Sequence, residues 1–149
     1  MSGGLEGHEP LTSGPGSRPQ HLVALPGQPE SARAARGIVH EALAEHGAPE
    51  WAEVAELLVS ELATNAIVHA GAPFEVLIRV APQEVWVGVI DPDASPVRRS
   101  RAAPDAPGGR GLMLVDLMAS RWGTEPLAPH HKMVWFALDR PPRRHRGAA

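Results

Sequence analysis

Glu61 and Asn65 stand four residues apart in the stretch ELATNAIVHA, residues 61–70, inside a segment that otherwise has the composition of a buried helix. Four helical residues return a side chain to the same face about 6 Å further along the axis. Asparagine is a poor interior helix residue, because its amide competes for backbone hydrogen bonds. A buried amide or carboxylate without a partner is costly. Either the pair edges into solvent and binds water, or the helix wall lines a site. In the second case the chemistry is definite. An amide oxygen is a hard, neutral ligand suited to Mg²⁺, which keeps several waters and takes phosphate oxygens as its other ligands. A carboxylate one turn earlier can take a proton from a nucleophile.

Two further features suit the same ligand. Asp91 closes an apolar strand and is followed by Pro92, which is either turn chemistry or a recognition carboxylate. As a recognition group it accepts a hydrogen bond from an exocyclic amine such as that of adenine, and it rejects a base with a carbonyl at that edge. GGRGLMLVD, residues 108–116, opens a helix with glycines. Exposed amides at a helix N-terminus favour anions, although glycines there also simply end a loop. The stretch lacks both the GK[ST] of a Walker A loop and a G-x-G-x-x-G fingerprint.

The elements that must position these residues follow from periodicity. HLVAL, residues 21–25, is a short strand closed by Pro26-Gly27. A helix is expected between Pro29 and Gly47, with Ala35, Val39, Ala42 and Leu43 in its apolar stripe. A second runs from about 50 to 70, and Gly71 ends it. The period then changes to two. Phe74, Val76, Ile78 and Val80 alternate with Glu75, Leu77 and Arg79, and Val85, Val87 and Val89 repeat the pattern after Pro82-Gln83, a hairpin. Residues 92–110 read as a long Pro- and Arg-rich loop of the kind that forms lids. GLMLVDLMASRWG reads as a helix closing near Gly123, and HKMVWFALD as the last strand. The order β-α-α-β-β-loop-α-β implies an α+β two-layer sandwich, a mostly antiparallel mixed sheet with helices on one face. Residues 1–20 are expected to be a disordered tail, 21–140 one domain, and 141–149 a basic tail.

Composition narrows the function classes. The 149 residues carry a formal charge of −3 and no cysteine. There is no global basic field for nucleic acid, no thiolate metal site, and no apolar run of membrane-spanning length. With no tyrosine and two phenylalanines, stacking platforms for single strands are scarce. The chain therefore reads as a soluble cytoplasmic protein. Of its 14 basic residues, 13 are arginine and one is lysine.

The order of these signals carries a resemblance. "LVSELATNAIVHAG", "VIDPDASP" and "GGRGLMLVD" resemble, in turn, the N box, the shortened G1 region and the G2 box of the histidine-kinase-like ATPases of the Bergerat or GHKL fold. "RWG" and "KMVWFAL" resemble that family's closing strands. Within it the chain is similar to the small stand-alone bacterial anti-sigma-factor serine/threonine kinases. The resemblance implies ATP and Mg²⁺ as ligands, Asn65 on the metal, Glu61 as general base and Asp91 on the adenine amine. It implies that Gly109, Arg110, Gly111 and Leu112 hold the phosphates and that His69 lines the pocket edge. The implied partners are an anti-anti-sigma protein, a sigma factor, or a second copy of the chain. There are two departures. The family's D-x-G-x-G glycines are absent after Asp91, and Met133 stands where the family often has a threonine beside the reading aspartate.

Overall fold

The computed structural model describes residues 20–92 and 109–139. The expected N-terminal tail except Gln20, which begins the first strand, the C-terminal tail and most of the Pro/Arg-rich loop, with Arg98, Arg99 and Arg101, lie outside them. Strand β1 (Gln20–Leu25) leads through a Pro-Gly turn, where Ser31 Oγ donates to the Pro26 carbonyl at 2.6 Å, into helix α1 (Glu30–Glu45). Pro49–Trp51 form one 3₁₀ turn, and helix α2 (Ala52–Ala70) follows directly. Gly71 caps α2 with φ of 62°, a left-handed conformation that glycine adopts without a Cβ penalty.

Strands β2 (Phe74–Ala81) and β3 (Glu84–Asp91) form the hairpin, with Ala81 opposite Glu84 across Pro82-Gln83. Helix α3 (Gly109–Met118), strand β4 (Arg121–Leu127) and strand β5 (His131–Asp139) complete the domain. The sheet order is β1-β2-β3-β5-β4, and every neighbouring pair is antiparallel. The architecture is the α+β one expected, with the helices on one face.

One element departs from the sequence reading. The segment ending in Arg121-Trp122-Gly123 does not continue the preceding helix, which stops at Met118, and residues 121–127 form the edge strand β4. Its Thr-Glu-Pro centre hides the strand from a hydropathy pattern. An edge position tolerates Pro126, which could not serve a central ladder.

The main core lies between the helices and the sheet. Leu43, Leu58, Val59 and Leu62 pack on Val76, Ile78, Val85, Val87, Val89, Val134 and Phe136. Fully burying each such side chain contributes roughly 1.5–3 kcal/mol. A second apolar cluster occupies the opposite face: Leu77, Trp86, Ile90, Leu127, Met133 and Ala137, with Trp135 against it. The Trp86 and Trp135 rings stack with centroids 5.9 Å apart. They lie over glycines: a Cβ on Gly88 would stand 2.9 Å from the Trp86 ring, and one on Gly123 would stand 3.0 Å from the Trp135 ring. Leu77, grouped by alternation with Glu75 and Arg79, is thus buried in its own right.

Polar links tie the periphery. His21 Nε2 and His46 Nε2 are 3.2 Å apart, joining β1 to the end of α1. Arg121 binds both Asp139 oxygens, at 2.9 and 3.0 Å, and also Glu84, which ties together three strands at one end of the sheet. The bond to Asp139 holds the Arg121 guanidinium above its ordinary pKa.

Candidate functional site

Asp91 closes β3 at the end of that strand away from Glu84. On β3, Val85, Val87 and Val89 point into the helix-side core, and the two-residue period carries Asp91 onto that same face. Asp91 is buried, at 3% exposure. Helix α2 packs over β3 and beside α3. Its inner stripe is Ala55, Leu58, Val59, Leu62, Ala63 and Ala66. Glu61 and Asn65 flank that stripe and are half-buried.

The Asn65 amide oxygen is fully shielded from solvent and has no hydrogen-bond partner among the described residues. An acceptor in that state costs about 1–3 kcal/mol unless a ligand satisfies it. A hard cation fits such an oxygen, because a neutral amide carbonyl supplies a lone pair without adding charge to be desolvated. Other helix hydroxyls are satisfied locally: Ser60 Oγ donates to Leu57 O and Thr64 Oγ1 to Ser60 O.

Gly109, Arg110 and Gly111 form the first turn of α3. That turn is where an α-helix presents unpaired amides. Leu112 is buried in the main core with Val115, so it anchors the turn from within. His69 is exposed in the last turn of α2.

The register also corrects one expectation. Met133 pairs with Ile90 and belongs to the cluster on the far face of the sheet, so its side chain is not beside Asp91. The residue opposite Asp91 is Lys132, whose Nζ lies 3.8 Å from Asp91 Oδ1. Sequence reasoning passed over Lys132, although it is the chain's single lysine among 13 arginines.

Comparison with known proteins bears on the fold and the family. No curated protein matches the chain significantly. Among solved structures, the crystal structure of the RsbU and RsbW domains of Rv1364c from Mycobacterium tuberculosis is similar, with a TM-score of 0.63 and 21% identity. The match covers 85% of this chain and 34% of that one, so this chain spans about a third of that protein's length. At that identity the likeness is one of fold. Among the described residues, no helix is long and apolar enough to cross a membrane. The family model of the histidine kinase-like ATPase domain matches residues 25–137, most of the chain. The chain therefore belongs to the histidine kinase-like ATPase domain family.

Proposed function

We propose that the protein binds Mg-ATP between α2, α3 and the Asp91 end of the sheet, and transfers the γ-phosphoryl group to a serine of a small anti-anti-sigma partner. The observation that carries the reading is the buried, partnerless Asn65 oxygen, one turn after Glu61 on a helix packed over the strand that ends in Asp91. Mg²⁺ on that oxygen would neutralise charge on the phosphates. Phosphoryl transfer asks the protein mainly for positioning and charge stabilisation. Asp91 accepts a hydrogen bond from the adenine amine, and the first-turn amides of α3 face the phosphates. Glu61 takes the serine hydroxyl proton as the serine oxygen–phosphorus bond forms and the bond to the ADP oxygen breaks.

Calorimetric titration with ATP, with and without Mg²⁺, tests the site, with Asn65→Ala as the control. Mg-dependent binding that the variant loses is the expected result, and no binding at millimolar ATP overturns the reading. Transfer of labelled phosphate to a cognate partner tests the activity.

A second reading, a module that sequesters its partner without catalysis, is favoured by the segment after Asp91. It runs Pro92-Asp93-Ala94-Ser95-Pro96, without the glycines that bring backbone close to a nucleotide. ATP binding with no phosphate transfer to any bound partner would select it.

A further inference from the structure

Asp91 does not meet its ligand alone. Residues directly opposite in an antiparallel pair project from the same face, so Lys132 points with Asp91 toward the helices. Its side chain is 11% exposed and that of Asp91 4%. The 3.8 Å between Nζ and Oδ1 is a contact between charges, longer than a direct charge-assisted hydrogen bond.

Stability by itself explains the pair poorly. Burying two charges costs several kcal/mol per ion before their attraction repays it, and packed apolar residues usually do as well or better. The neighbours on this face, Val89 and Val134, show what the core uses here otherwise. The chain's own usage sharpens the point. Wherever else it needs a cation it uses arginine, and its one lysine is placed here. An ammonium is a compact point charge with rotatable donors, whereas a guanidinium is a broad planar fork. The site therefore selects a small donor beside a carboxylate acceptor.

A carboxylate and an ammonium side by side form an acceptor–donor pair. The Watson–Crick edge of adenine presents the complement, an exocyclic amine donor next to the ring nitrogen N1, an acceptor. We propose that Lys132 is a base-reading residue: its ammonium donates to adenine N1 while Asp91 accepts from the amine. This inference rests on the ATP site proposed above. A guanine in the same pose sets its carbonyl against the carboxylate and its ring N–H against the ammonium. The pair thus opposes the wrong base at two atoms instead of one.

The test uses the full-length wild-type protein and 1-deaza-ATP, in which a C–H replaces N1. Hydrogen bonds to charged groups contribute about 1.5–3 kcal/mol, so calorimetry should show 1-deaza-ATP binding roughly tenfold to a hundredfold more weakly than ATP. Lys132→Met should lose a similar factor for ATP and bind the two nucleotides alike. Because that variant removes a buried charge facing Asp91, its folding is checked by circular dichroism, and the wild-type comparison decides the matter if it fails to fold. A single lysine also makes a clean reporter. In protein carrying isotope-labelled lysine, the side-chain signal should move with Mg-ATP and move much less with saturating Mg-1-deaza-ATP. Equal affinities of the wild type for the two nucleotides overturn the role of Lys132 and leave the ATP site standing. Failure of ATP itself to bind overturns both.

Discussion

Replacing Asn65 with alanine should make the ligand-free protein more stable while removing its response to nucleotide. The wild-type side chain leaves a shielded acceptor without a partner, a cost of about 1–3 kcal/mol. Alanine is also the better helix interior residue, by roughly 0.5–0.7 kcal/mol. The lost contacts of a half-buried amide offset part of this, leaving a net gain of about 1–2 kcal/mol. For a domain of this size, that raises Tm by roughly 3–10 °C. Mg-ATP at a hundred times its Kd adds about 2.7 kcal/mol to the wild type and close to nothing to the variant. The two melting curves should therefore exchange order: the variant melts later without ligand, the wild type later with it. Differential scanning calorimetry with and without Mg-ATP reads both effects. A ligand-free variant less stable than wild type would show that the oxygen has a structural partner. An equal Mg-ATP shift in both proteins would show that Asn65 holds no metal.

Other consequences are testable in the same preparations. Glu61→Ala should slow phosphate transfer by about 10²–10⁴-fold with little change in ATP affinity, and transfer at the wild-type rate would remove Glu61 from the mechanism. Asp91→Ala should erase the preference for ATP over GTP in competition binding. It should also destabilise the fold, by up to about 3–5 kcal/mol in urea unfolding, because it removes the carboxylate facing the buried Lys132 ammonium. Gly88→Ala should cost about 1–3 kcal/mol by overpacking, since the new Cβ meets the Trp86 ring at 2.9 Å and Met133 Sδ at 3.1 Å. An unchanged urea midpoint would mean that the ring moves aside freely. The raised pKa of Arg121 places its contribution below the unfolded-state value, to be lost only as pH rises through the folded one. Arg121→Met should therefore lower Tm by the same small margin from about pH 7 to about pH 10, since arginine stays charged throughout that range. A margin that vanishes at the upper end would contradict this.

Much of the molecule is legible in local pattern. The period-two runs of residues 74–80 and 85–89 dictate a hairpin with one buried face, because alternation and a two-residue turn are properties of neighbouring residues. The helical spacing of Glu61 and Asn65, and the glycines that cap α2 and open α3, are legible for the same reason. Their order along the chain suffices to suggest the family, which the match over residues 25–137 establishes. What local pattern could not carry is register. Whether Met133 or Lys132 stands beside Asp91 depends on how β5 aligns with a strand some forty residues earlier, and a slip of one residue exchanges the two faces. The strand β4 is hidden from hydropathy pattern for a related reason, and only the resemblance of RWG to a closing strand pointed to it: as an edge strand it buries little and needs no alternation. Burial of Leu77 and shielding of the Asn65 oxygen are likewise products of packing. Sequence by itself determined the elements and the chemical types on offer, through short-range sterics and hydrophobic periodicity. Only the tertiary structure decided which of those groups share a wall, because that rests on pairings between residues far apart in the chain.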